Sequence, residues 1–226
     1  RRIRRALEVR AAVSVFISFE GVDGSGKSTQ LRLLLQYLDE LGVPYVFTRE
    51  PGGTPIAEQI RRILLDPANK GMSVITEALL FAASRAEHVA RTIRPALEEG
   101  KVVICDRFVD SSLVYQALAG GLPPEFVLQI NEMATGALRP HRTIVLDVDP
   151  EVALTRRQGD GADRIERKAL EYHRQVREGY LELARAEPRR VKVVDASRSV
   201  EEVQRDIRAL VAEVLPRRFR RAATTS

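Results

Sequence analysis

The 226-residue chain is 44% hydrophobic and 30% charged, with seven Phe, five Tyr and no Trp, which excludes a disordered or fibrous protein and supplies one full core. Its formal charge of +5 invites a nucleic-acid reading, but residues 1–10 hold five Arg and residues 217–226 hold four. Without those two stretches the body carries 27 basic and 30 acidic residues, so the basicity belongs to the ends. Nucleic acid is therefore not expected as a partner beyond weak, non-specific contacts of the tails. The single cysteine, Cys105, excludes a disulfide framework or a Cys-based zinc site within one chain and fits a reducing cytoplasm. The densest apolar run, Val13–Phe19, has strand length, so no membrane span is expected. The opening residue is Arg1 rather than a methionine, which points to a processed or truncated start.

Along the chain, apolar strand-like runs alternate with amphipathic stretches, the pattern of a parallel α/β sheet covered on both faces. The first predicted strand, Val13–Phe19, leads into a glycine-rich turn and then a helix over Lys27–Leu41. That helix carries Leu31, Leu34, Leu35, Leu38 and Leu41 at helical spacing and stops at Gly42. A second strand is predicted over Pro44–Thr48. A long helix follows over Thr76–Glu99, with Thr76 as its cap and Pro95 bending it. The third strand is Val102–Cys105, after which Asp110 caps a short helix. A fourth strand over Thr143–Val148, a helix over Arg174–Glu187, a fifth strand over Val191–Val194 and a helix over Val200–Leu215 complete the pattern. The fold class expected is α/β: a P-loop NTPase-type parallel five-stranded sheet flanked by helices, with a small mobile lid. The domain spans 13–215, with its lid at about 156–168, between a basic extension at 1–12 and a basic tail at 216–226.

Four segments carry chemistry, and all fall at the carboxyl ends of predicted strands or in the lid. Gly21-Val22-Asp23-Gly24-Ser25-Gly26-Lys27-Ser28 matches G-x-x-x-x-G-K-[ST] between a buried strand and a helix, the context a phosphate loop needs. Its backbone N–H groups and the helix N-terminus attract phosphate, Lys27 reaches the β- and γ-phosphates, and Ser28 holds Mg²⁺. GTPases, motor ATPases and small-molecule kinases share this loop. No guanine-reading N-K-x-D follows a strand, since Asn69-Lys70-Gly71-Met72 has the wrong fourth residue. The chain is also short for an ATPase machine, so kinase is favoured over a nucleotide switch. The second strand runs into Arg49-Glu50-Pro51-Gly52-Gly53-Thr54, a forced bend. The third ends in Cys105-Asp106-Arg107-Phe108, which offers a carboxylate for Mg²⁺ or its water and a guanidinium for phosphate. Phe81 and Arg85 share a helix face, where a ring can stack on a base while the cation approaches the phosphate. Ser112 and Gln116 lie one turn apart, and Gln suits the donor-and-acceptor edge of a pyrimidine. Arg156, Arg157 and Arg164 flank a polar, glycine-rich interruption that reads as a lid bringing arginines over phosphates.

Assembled, these residues resemble bacterial thymidylate (dTMP) kinases. The resemblance rests on Phe19-Glu20-Gly21-Val22-Asp23-Gly24-Ser25-Gly26-Lys27-Ser28-Thr29, Thr48-Arg49-Glu50-Pro51-Gly52-Gly53-Thr54, Asp106-Arg107-Phe108-Val109-Asp110-Ser111-Ser112 and Asp163-Arg164-Ile165-Glu166, in the family's order across residues 13–215. It implies transfer of the γ-phosphoryl group of ATP to dTMP with Mg²⁺ at Ser28 and Asp106, ATP on Gly21 to Thr29, and a cytoplasmic homodimer. It also implies dTMP contacts from Asp23, Glu50, Pro51, Arg61, Phe81, Arg85, Arg107, Ser112, Tyr115 and Gln116. The phosphate loop has no arginine while the lid has three, so the chain resembles the lid-arginine form. Lys27, Arg107, Arg164 and Arg157 are then the expected catalytic set, with Arg164 the lid arginine expected to act. Phe108 stands where Tyr or His is common in the family, a change near the sugar.

Overall fold

The computed structural model describes residues 14–156 and 163–219. Five parallel strands, β1 (Val15–Glu20), β2 (Tyr45–Arg49), β3 (Val102–Asp106), β4 (Arg142–Asp147) and β5 (Val191–Asp195), form one sheet in the order β2-β3-β1-β4-β5. Every residue of β1 is buried, because it lies at the centre with helices on both faces. Its side chains alternate between two apolar layers. Val15, Ile17 and Phe19 join Leu31, Leu34 and Leu38 of helix α1 (Lys27–Glu40) on one side. Phe16 joins Val89, Ile93 and Phe108 on the other. All five strands and their parallel direction agree with the sequence pattern, with bounds shifted by one or two residues.

Register places the functional segments together. Phe19 of β1 and Arg49 of β2 both pair with Asp106 at the end of β3, so three strands deliver their carboxyl ends to one edge. The chain passes from β1 outward to β2 and returns through β3, then crosses to β4 on the opposite side of β1. Ligands gather at such a switch point in an open α/β sheet.

The helices depart from expectation in informative ways. Helices α2 (Pro55–Leu65) and α6 (Pro124–Thr135) have no counterpart in the sequence reading. Helix α3 (Val74–His88) starts earlier than expected, because Ser73 rather than Thr76 is its cap: the Ser73 hydroxyl accepts from the Thr76 N–H at 3.2 Å. The helix does not bend at Pro95 alone. It widens into a π-helical stretch over Val89–Ile93, which lets the chain re-form an α-helix, α4 (Arg94–Glu98), with the proline in its first turn. Asp110 does not cap α5 (Val109–Ser112); it is buried and accepts two hydrogen bonds from Arg190 and one from Thr143. The remaining helices are α7 (Pro150–Arg156), α8 (Leu170–Ala186) and α9 (Val200–Val214). Phe219 packs against the main core, so apolar packing runs past the expected boundary at 215. The expected extension at 1–12, Arg157 of the lid and the tail arginines Arg220 and Arg221 lie outside the described residues.

Candidate active site

The loop between β1 and α1 is shaped by backbone rather than side chains. Gly21 sits at φ +131°, and a Cβ there would meet the Leu146 carbonyl oxygen at 2.5 Å. The loop then enters α1 through Gly26 at φ +93°, where a Cβ would meet nothing within 4 Å and no side chain caps the helix. Lys27 is nearly buried, with its Nζ donating to the Gly21 and Val22 carbonyls at 3.0 and 3.2 Å and lying 3.9 Å from Asp23. Burial, and then repulsion from Arg107, lower its pKa.

Above this loop lies a cavity of about 650 Å³, large enough for nucleotide-sized ligands. Asp23 through Thr29 line it from the phosphate loop; Arg49, Glu50, Pro51 and Arg61 from the second strand and α2; Phe81 and Arg85 from α3. Asp106, Arg107, Ser111, Ser112, Tyr115 and Gln116 line it from the β3 end and the π-helical stretch that follows α5. Gly21 and Val22 belong to the loop without facing the cavity.

Arg107 is the centre of this arrangement. It adopts φ +70°, a sparsely populated conformation for a non-glycine residue, of the kind found at functional sites. Its guanidinium donates to Asp23 Oδ1 at 2.7 Å, to the Ser111 hydroxyl at 3.3 Å and to the Tyr180 hydroxyl at 3.4 Å, and lies 5.2 Å from the Tyr115 ring centroid. Beneath it, Glu20 is buried and accepts from the Phe108 N–H at 2.8 Å, the Ser111 hydroxyl at 2.5 Å and the Tyr180 hydroxyl at 2.8 Å. Burial first, and then the nearby Asp110, push the Glu20 carboxyl up from 4.5 to about 7. A carboxyl that binds its proton more tightly when folded stabilises the fold fully below about pH 4.5 and loses that contribution as pH rises through about 7. Glu20 should thus lower the unfolding free energy by about 3 kcal/mol across that interval. Denaturant titrations from pH 4.5 to 8 check this: Glu20→Gln should flatten the slope relative to the wild type, and an unchanged slope would assign it to other groups.

Arg85 departs from expectation. It is almost wholly buried, donating through Nε to Glu50 at 2.7 Å, through Nη1 to Ser112 at 2.9 Å and to Asn131, and through Nη2 to the Phe108 carbonyl at 3.1 Å. Four of its five N–H donors are taken, so it cannot offer a two-pronged fork to a phosphate and has one N–H left for the cavity. Glu50 is likewise occupied by Arg85 and by His88, whose Nδ1 lies 3.0 Å from it; the His88 Nε2 lies 2.6 Å from the Thr48 hydroxyl. His88 in turn closes on the bend after β2, because a Cβ at Gly53 (φ +86°) would lie 2.6 Å from the imidazole ring. Arg61 fixes the same bend by donating to the Pro51 carbonyl at 2.8 Å. Phe81 is half-buried on the cavity wall, as its face-sharing with Arg85 anticipates.

The lid also departs from expectation. Arg164 does not face the cavity: its Nε donates to the Leu64 carbonyl at 2.7 Å and its Nη2 to Glu77 at 2.6 Å, and it is buried there. Arg156 lines the cavity instead, with Nη1 on the Ala196 carbonyl at 2.9 Å. Sequence reasoning also leaves out Arg198, which lines the cavity from the segment after β5. Its position just past a strand end, at the same sheet edge as the phosphate loop, is the signal that could have found it.

Asp106 Oδ1 is a buried oxygen with no hydrogen-bond partner among the described residues, and Asp106 shares the cavity wall with Ser28. A single spare carboxylate beside a phosphate loop fits Mg²⁺, which keeps most of its shell from phosphates and water. No group of three or more His, Cys, Asp or Glu suited to a metal occurs among the described residues. Cys105 is fully buried on β3, where burial pushes its thiol pKa up and leaves it inert.

A phosphate loop opening into one arginine-walled cavity at the edge of a parallel sheet defines a P-loop nucleotide kinase. The family model described as thymidylate kinase matches residues 19–207. A thymidylate kinase from Symbiobacterium thermophilum is 86% identical over 212 residues, covering 94% of this chain and 99% of that protein. Another, from Pelotomaculum thermopropionicum, is 52% identical over 88% of this chain and 94% of that one. Among solved structures, the crystal structure of thymidylate kinase from Ehrlichia chaffeensis superposes with a TM-score of 0.72 at 35% identity, over 88% of this chain and 98% of that one. The chain belongs to the thymidylate kinase family.

Proposed function

We infer that this chain transfers the γ-phosphoryl group of ATP to dTMP, giving dTDP and ADP. The observation that carries the reading is the continuity of one cavity from the phosphate loop to a half-buried ring and polar side chains suited to a pyrimidine, with Arg107 between them. ATP takes the loop Gly21 to Thr29, with Lys27 on its β- and γ-phosphates. Ser28 and Asp106 would hold Mg²⁺, which when bound would supply neutralisation of phosphate charge. In the acceptor pocket, Phe81 stacks on thymine, Ser112, Tyr115 and Gln116 surround the base, and Asp23 stands near the sugar hydroxyl. Arg61 and Arg107 draw the monophosphate into line with the γ-phosphorus; Glu50, Pro51 and Arg85 shape that pocket through their internal bonds.

Phosphoryl transfer asks little covalent chemistry of the protein: alignment, neutralisation of spreading charge and exclusion of water carry the rate. Arg156 is better placed than Arg164 to meet the transferring group, since it already faces the cavity; Arg157 is the further lid candidate. The test is transfer of label from γ-labelled ATP. Label in dTDP, dependent on dTMP, supports the reading, and label appearing only as inorganic phosphate contradicts it.

A homodimer fits the exposed apolar residues Ile56 and Ile63 on α2, Ile75 and Leu79 on α3, and Leu128 and Met133 on α6, three helices in mutual contact through α3. Sedimentation of the purified chain reads this state directly. No helix among the described residues is long and apolar enough to cross a membrane; a cytoplasmic setting remains part of the proposal, as do the roles of the basic ends as separate tails.

A further inference from the structure

We propose that Glu77 is a positioning residue for acceptor choice: it fixes the side-chain amide of Gln116 so that the amide's oxygen, and not its nitrogen, is offered to the base. The inference rests on the reading of Gln116 as a base contact and deepens it.

Glu77 lies on α3, one turn before Phe81, and is only 2% exposed. Three donors meet its carboxylate. Arg164 Nη2 donates at 2.6 Å, Lys168 Nζ lies 3.6 Å away, and Gln116 Nε2 donates at 2.8 Å. Arginine and lysine side chains donate and never accept, so they hold Glu77 as an acceptor. A carboxylate held that way receives only the NH₂ end of a neighbouring amide. Gln116 is itself 1% exposed and lines the cavity, and among the described residues its Oε1 accepts no hydrogen bond. The free end of the amide is therefore an acceptor.

This matters because the two pyrimidine types differ at that edge. Thymine and uracil carry N3–H, a donor that matches a fixed acceptor. Cytosine carries a bare N3, and two acceptors facing each other across a dry pocket leave both unpaired. A free glutamine would rotate by half a turn and serve either base. Glu77 removes that choice, and so converts an ambivalent side chain into a selective one. The buried Arg164 thereby acquires a role away from the phosphates: with Lys168, it ties the C-terminal part of the lid segment to the residue that orients the base reader.

The experiment measures binding of dTMP and of dCMP to the wild type by calorimetry, then kcat/KM for both acceptors in the wild type, Glu77→Gln, Gln116→Leu and the double variant. Glu77→Gln keeps the volume but can offer Gln116 either an oxygen or an NH₂. The dTMP-to-dCMP ratio of kcat/KM should fall by about tenfold or more, with KM for ATP unchanged. On the Gln116→Leu background the same change should have no further effect on that ratio, because Glu77 acts through the amide. A ratio preserved in Glu77→Gln, or a drop repeated in full without Gln116, overturns the inference while leaving the function reading intact. Wild-type protein that fails to prefer dTMP in binding overturns both. Should Glu77→Gln not fold, Glu77→Asp, which keeps the charge but withdraws the acceptor from Gln116, must lower the same ratio.

Discussion

Lys27→Met should lower kcat about 10³-fold while leaving the fold and the KM for dTMP within a few-fold of the wild type. Methionine matches the length and bulk of lysine, so the 7%-exposed site stays filled. What disappears is the charge. The ammonium rests on the Gly21 and Val22 carbonyls and near Asp23. Phosphate oxygens can replace those carbonyls as acceptors for the same ammonium. Burial and Arg107 both disfavour the ammonium where it rests, and the negative charge of an incoming polyphosphate acts in the opposite direction. Because negative charge moves onto the β–γ bridge during transfer, the lost interaction is larger in the transition state than in the ground state, and kcat falls rather than KM rising. A variant within tenfold of wild-type kcat, measured by ADP release, would remove Lys27 from the reaction.

Arg107→Ala should cost at least about 10² in kcat/KM for dTMP. The guanidinium is aimed by Asp23, Ser111, Tyr180 and the face of Tyr115, from a backbone held at φ +70°. That degree of fixation lets it meet an incoming phosphate without further ordering. Arg107→Lys should recover less than a tenth of the loss, because a lysine restores charge without the planar fork. Parallel measurements on Arg107→Ala and Arg107→Lys read this directly. Equal, near-normal values for both would mean that Arg107 only braces the loop through Asp23.

The fold was readable because its strands are unambiguous. Val15–Phe19, interrupted only by Ser18, and Val102–Cys105 are near-continuous apolar runs bounded by polar and turn residues, and a covered parallel sheet suits them. Helices α2 and α6 were missed for different reasons. Helix α2 is in fact strongly one-sided, with Thr54 as its cap and Pro55 in its first turn, a signal that was there to be read beside the bend after β2, whereas α6 has no side-chain cap to mark its start and leaves Met133 exposed. At the site, the phosphate loop, Asp106 and Arg107 follow from local spacing alone. The placement of Arg164 away from the cavity has a different origin. Whether a lid arginine faces phosphate or a buried glutamate depends on Glu77, 87 residues earlier in the chain, and no local pattern announces that pairing. Arg85 is similar: its helix face is legible, but its burial against Glu50, Ser112 and Asn131 is a property of three distant segments.

The central claim is that one cavity aligns ATP with a thymine nucleotide. It is tested most directly by coupled ADP release with ATP and Mg²⁺ against dTMP, dUMP, UMP, CMP, GMP and AMP in turn. The account predicts turnover led by dTMP, with dUMP a poor second and CMP at background. Turnover led by CMP or UMP, or ADP release independent of any acceptor, would contradict it.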